Sequence, residues 1–342
     1  MTCSIARRAL VPAALALAAA VVVPPVATAS TRSESHARTQ GHVRTAHVRT
    51  AYDLPGERAY PEGVAADPRT GDIYVGSYAT GAVYQATPGH HAARIFLPAG
   101  TDGRTTANGL KVDRAGRLWV IDSTAGVAVY DLRDRRLLAR FDVTGTARSF
   151  VNDLVVTPDG TAYLTDSYRG VVYRVTPGQL ARVAAHGRRA GLTAAYDLSR
   201  VLPPVPAGTV TLNGIAAAPS GRYLLTVDMT AGTLYRIDPT TGAIRQVALH
   251  GGDMKHGDGL EMRGNTLWVV HNVANSISRW RVTDDGRAAR RERSLTDPAL
   301  QIPTTVVHSG GRMLVVRSQF DKGGPMGGSD PQPFTVAEVD GI

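Results

Sequence analysis

The chain has one cysteine among its 342 residues, Cys3, and only three lysines, Lys111, Lys255 and Lys322. A single thiol excludes an internal disulfide framework and a cysteine-built zinc site, so stability has to come from a buried core. Aromatic residues are 6% of the chain and interleave with no basic stripe, which excludes the usual nucleic-acid-binding signature. There is no Gly-x-Ser-x-Gly nucleophile elbow, and the glycine-rich run from Gly323 to Gly328 lacks the Lys-Ser/Thr ending of a phosphate loop. Long apolar runs are also missing, apart from Ala9 to Val26, which Pro24 and Pro25 interrupt.

That one run, with Arg7 and Arg8 before it and Ala27-Thr28-Ala29 after it, reads as a secretory signal peptide over residues 1–29. Cleavage near Ala29-Ser30 would remove Cys3 and release the chain into an extracellular compartment with no membrane attachment. The formal net charge would fall from +9 to +7, carried by dispersed arginines that read as solvated surface. Residues 30–50 are polar and hold the near-duplication His42-Val43-Arg44-Thr45 and His47-Val48-Arg49-Thr50, which reads as a flexible leader.

What the chain has in quantity is turn formers, 36 Gly and 20 Pro, against 43% hydrophobic residues. They punctuate a repeat. Each copy starts with a polar residue followed by a small one, continues through a short apolar run to a turn, and ends in two alternating strands separated by a Gly turn. The lead residues are Glu62, Asn108, Asn152, Asn213, Asp258 and Thr304, spaced by 46, 44, 61, 45 and 46 residues. Repeats of that length with several short strands each predict an all-β, six-bladed β-propeller over residues 51–342. The long interval marks an insertion at about 179–209, rich in proline, that is expected to cover one mouth of the fold. Tyr74, Trp119, Tyr163, Tyr223 and Trp268 recur one strand after the lead residues and read as inter-blade packing. Phe334 to Val339 and Thr50 to Leu54 are the terminal strands expected to close the ring together.

Each lead residue precedes its blade's innermost strand, so all six should reach one rim of the central channel. A turn alone would be satisfied by Asn-Gly or Asp-Gly. It would not account for Glu62, nor for a side-chain oxygen at every lead position. Two carboxylates and several amide carbonyls are hard oxygen ligands, suited to Ca²⁺, with Mg²⁺ or Mn²⁺ as alternatives and Zn²⁺ disfavoured by the lack of His and Cys.

Pro61-Glu62-Gly63, Asn152-Asp153, Leu212-Asn213-Gly214 and Gly257-Asp258-Gly259 together resemble the gluconolactonase, regucalcin and senescence-marker-protein family of six-bladed propellers, from about Tyr60 to the C-terminus. The resemblance implies that Glu62, Asn213 and Asp258 hold a divalent cation and that Asn152 contacts metal or substrate; Asn108 is a further channel-facing substrate candidate on the repeat alignment. It implies hydrolysis of a small lactone or related ester, with the cation polarising the carbonyl and Asp258 as general base or activator of water. The chain is expected to be a monomer. The family's arginine before the third-blade Asn is not in place, where the chain reads Ser149-Phe150-Val151, with Arg148 out of register. His256 and His271 are expected to be surface or packing residues. The competing expectation is a non-catalytic extracellular propeller, with a structural central cation and loops that bind a ligand or a protein.

Overall fold

The structure is a computed structural model, and it describes residues 46–342. The signal peptide, Cys3 and all but the end of the leader lie outside the described residues. Among the described residues, no helix is long and apolar enough to cross a membrane.

Six sheets of four or five strands succeed one another along the chain, each built on an antiparallel meander, with a parallel outermost strand added in two of them. Their first strands are Pro61–Ala66, Leu110–Val112, Val151–Val156, Leu212–Ala217, Gly257–Arg263 and Pro303–Ser309. Each first strand touches the first strands of the blades before and after it, and the sixth touches the first, so these six strands form a closed ring around the axis. The architecture is the predicted six-bladed propeller.

The short runs are strands because their apolar residues alternate, and each face of a blade has a neighbouring blade to bury against. Six apolar clusters result, one per blade junction. Trp119, Ile121 and Val129 of blade 2, for example, meet Leu154 and Leu164 of blade 3, and Tyr163 and Val172 of blade 3 meet Ile215 and Leu224 of blade 4. The recurring aromatics lie in these junctions, as expected, and Trp119 is fully buried. Turn acids lock the strand ends. Asp113 accepts from the backbone N–H of Ala115 at 2.9 Å and from the indole Nε1 of Trp119 at 2.9 Å, tying one turn to a junction.

The ring is closed by chain ends. His47–Asp53 pairs antiparallel with Thr335–Asp340 and supplies the outermost strand of blade 6. The strand begins at His47, so the second His-Val-Arg-Thr copy belongs to the propeller and not to the leader. The inserted segment also differs from expectation. Its helix, Pro177–Ala185, is capped by Thr176 and Gln179 and buries Leu180 in the junction of blades 2 and 3. Arg189–Gly191 adds a parallel outer strand to blade 2, and Thr193–Asp197 is the outer strand of blade 3. This part of the insertion therefore extends the outer edges of blades 2 and 3, where its apolar residues find their partners, while at its proline-rich end a Cβ on Gly208 would lie 3.4 Å from Arg148 Nη1.

Candidate functional site at the channel rim

The lead residues sit where the pleat is broken. In blades 1, 3, 4, 5 and 6 the pairing of first and second strands slips between Pro61 and Val64, Val151 and Leu154, Leu212 and Ile215, Gly257 and Leu260, and Pro303 and Val306. Blade 2 does the same ahead of Leu110, where the backbone of Asn108 and Gly109 bonds to a single residue, Ile121. A bulge places two successive residues opposite one and re-aims their side chains. The first of each pair is the lead residue. The second faces the next blade so closely that in four blades only glycine fits: a Cβ on Gly63 would lie 2.2 Å from the carbonyl oxygen of Asn108, and one on Gly214 would lie 2.2 Å from that of Asp258.

Five of the six lead side chains are oriented by neighbours visible in the structure. Asn108 Nδ2 donates to Asn152 Oδ1 at 3.3 Å, and Asn152 Nδ2 donates to Ser167 Oγ at 3.0 Å. Asn213 Nδ2 donates to Met229 Sδ at 3.2 Å, and Asn272 Nδ2 donates to Asp258 Oδ2 at 2.8 Å. The Thr304 hydroxyl donates to the carbonyl oxygen of Glu62 at 2.7 Å and so ties blade 6 to blade 1. With the amide nitrogens occupied, Asn108 Oδ1 and Asn213 Oδ1 are left buried with no hydrogen-bond partner, and so is Glu62 Oε2. Buried acceptor oxygens without partners, here from three blades, are the kind of group a bound cation would satisfy. Among the described residues no group of three or more His, Cys, Asp or Glu side chains is arranged to hold a metal, so the set that fits is mixed carboxylate and amide oxygen.

The electrostatics agree. Burial drives the Glu62 carboxyl well above the ordinary carboxylate range, and the charges of Asp258 and Asp153 push it further, against a smaller opposing pull from Lys111. Asp258 is pushed up to about 8, chiefly by burial, with Asn272 and Asn213 opposing and Asp153 adding to the rise. A cation at the rim would reverse both shifts.

Asp153 was not singled out from the sequence. It occupies the second bulge position, which is glycine in blades 1, 2, 4 and 5, and that departure from the repeat was the available signal. Its Oδ1 accepts from the Leu154 N–H at 2.8 Å and its Oδ2 from the Ile215 N–H at 3.4 Å, bridging blades 3 and 4. Burial raises its carboxyl too. Met229 and Asn272, the residues that orient Asn213 and Asp258, are equally absent from the sequence reading.

His271 is a packing residue as expected. It is buried, with Nδ1 against the carbonyl of Lys255 at 2.8 Å and Nε2 against Ser278 Oγ at 2.7 Å, and burial lowers its pKa. Both ring nitrogens are used. His256 holds a left-handed backbone turn with φ 58°. Arg148 lies 4.8 Å over the Tyr168 ring and helps line a recess of about 400 Å³ with Tyr78, Phe150 and Tyr168. Tyr78 senses the Glu62 charge, which puts this recess beside the rim.

The model of the SMP-30/gluconolactonase/LRE-like region matches residues 99–314. A search of curated proteins returned no match. Among solved structures, the chain is similar to the calcium-binding protein regucalcin from Agrobacterium tumefaciens, at 16% identity and TM-score 0.57, covering 85% of this chain and 95% of that one. It is also similar to the major Malassezia sympodialis allergen, at 16% identity and TM-score 0.61, over 84% and 95% of the two chains. Virginiamycin B lyase from Staphylococcus aureus is a third, at 12% identity and TM-score 0.56, over 86% and 99%. At these identities the structural likenesses carry the fold alone, whereas the family match spans well over half the sequence. The chain therefore belongs to the SMP-30/gluconolactonase/LRE-like family.

Proposed function

We propose that the protein is a secreted hydrolase of lactone or related ester bonds that depends on a divalent cation, most suitably Ca²⁺, at the channel rim. The observation that carries this reading is the pair of orphaned oxygens on Glu62 and Asn213 beside the buried Asp258 carboxyl, with Asn108 Oδ1 also without a partner and left for the substrate. Glu62, Asn213 and Asp258 would hold the cation; Asn152, whose Oδ1 already accepts from Asn108, would complete the set with its second lone pair. When bound, the cation supplies Lewis acidity toward the substrate carbonyl.

The chain's own residues do the rest. The Tyr78, Phe150 and Tyr168 recess receives the part of the substrate remote from the carbonyl. Arg148 lines the same recess and stands in for the arginine missing before Asn152. Asn108 positions the substrate. Asp258, held by Asn272, takes the proton of the attacking water and returns it to the leaving oxygen. A carboxylate in contact with the cation is a weak base, and the hydrogen bond from Asn272, which itself lowers the Asp258 pKa, serves to fix the carboxylate's orientation toward the water.

Calorimetric titration with Ca²⁺, Mg²⁺, Mn²⁺ and Zn²⁺ tests the site, repeated on Glu62→Gln and Asp258→Asn. One-site binding that both variants lose, together with cation-dependent turnover of a lactone or aryl ester panel, supports the proposal. Binding without turnover leaves the non-catalytic propeller with a structural cation. No binding in the parent protein removes both. N-terminal sequencing of exported protein checks release, with Ser30 expected as the first residue.

A further inference from the structure

We propose that the opposite mouth of the channel is a second ligand site, one that takes a small apolar organic anion and seats its charged group on Lys111. The first strands run from the rim to a cavity of about 500 Å³ at their far ends, within the size range of small-molecule sites. Its walls are aliphatic, with Val155, Val156, Ala217, Met262 and Val307 among them.

The polar side chains in this lining are not balanced. Every carboxylate has a partner: Asp113 accepts from Arg117 Nε at 2.6 Å, Asp159 accepts from Thr157 Oγ1 at 2.6 Å and Thr161 Oγ1 at 3.1 Å, and Glu261 is paired with His308. Two cations have none. Among the described residues, neither Lys111 nor Arg114 makes a direct ion pair or side-chain hydrogen bond, and Lys111 is partly buried where Arg114 is exposed. An ammonium that has lost part of its water without gaining a counter-ion is stabilised by an entering carboxylate or sulfonate. A cationic ligand would meet no free acid there, and a neutral one would leave Lys111 as it is. The acids on which Lys111 acts from a distance, Glu62 and Asp153, belong to the rim.

Lys111 and Glu261 occupy equivalent positions, three after the lead residue, in blades 2 and 5. Blades three apart in a six-blade ring face each other across the axis. The free ammonium and the His308-engaged carboxylate thus stand on opposite walls with aliphatic residues between them, which gives an entering anion one direction to bind. This inference does not rest on the hydrolase reading.

The test is a fluorescence titration of the whole chain with anilinonaphthalene sulfonate as the probe, against uncharged phenylnaphthylamine. Saturable one-site binding is expected, weakened by about tenfold or more in Lys111→Met, the scale of a charge-assisted contact, and retained within a few-fold both in Lys111→Arg and in the rim variant Glu62→Gln. Thermal melting of each variant confirms that it is folded. The proposal is overturned by any of three results: no saturable binding, binding that folded Lys111→Met retains in full, or phenylnaphthylamine binding as tightly as the sulfonate.

Discussion

Glu62 and Asp258 are the residues on which pH should act. Both carboxyls are raised above their ordinary values, Asp258 to about 8, chiefly by burial. The folded, cation-free protein therefore favours the protonated acids: this contribution to stability is fully present below pH about 4 and is lost as pH rises through about 8. Thermal melting in the presence of a chelator should show the melting temperature falling by a few degrees across that window, and Asp258→Asn should flatten the slope. Cation affinity should move the other way, tightening by roughly tenfold per pH unit for each proton displaced, as read by calorimetry. Glycine matters here for space. Gly63→Ala sets a Cβ 2.2 Å from the Asn108 carbonyl oxygen and should destabilise the fold by about 1–3 kcal/mol while weakening cation binding. Gly178→Ala, in the inserted helix with nothing within 4 Å, should leave both unchanged or slightly improved in the same denaturant titration.

At the scale of elements, the bulge at the head of each first strand does the positioning. A regular strand would point the lead residue and its successor to opposite faces of the blade, into two different junctions. The bulge frees the first for the channel and turns the second toward the adjacent blade. The terminal strand is the other element with a single purpose. Deleting His47–Asp53 uncovers the edge of Thr335–Asp340 and removes Ala51 and Tyr52 from the junction of blades 6 and 1. The expected outcome is loss of the cooperative melt and concentration-dependent association, measured by circular dichroism and light scattering.

On the scale of the whole molecule, the channel couples its two ends through charge. Lys111 lies toward the far mouth, yet its field reaches Glu62 and Asp153 near the rim. Lys111→Met should therefore tighten cation binding at the rim by a few-fold, since one positive charge fewer opposes the ion, and the calorimetric series above reads this directly. An unchanged cation affinity in the folded variant would show that the two mouths are independent, and a weaker one would show that loss of the Lys111 charge is not what acts on the rim.

The repeat, its six copies and the rim candidates were legible in the sequence because a propeller states its geometry once per blade, and a side-chain oxygen at each lead position survives as a pattern. Glu62, Asn108, Asn152, Asn213 and Asp258 could be lined up by spacing alone. Spacing cannot say which amide oxygen is left free, because that depends on partners such as Ser167, Met229 and Asn272 that lie in the turn after the next strand and differ in type from blade to blade. Nor does it place the insertion, whose helix goes to the perimeter because Leu180 finds its apolar partners between blades 2 and 3. Asp153 departs from the glycine of its repeat position and Lys111 reads as an ordinary one, but what either charge does is decided by closing six sheets into a ring, which brings both into one channel where the packing of distant segments sets what each charge meets.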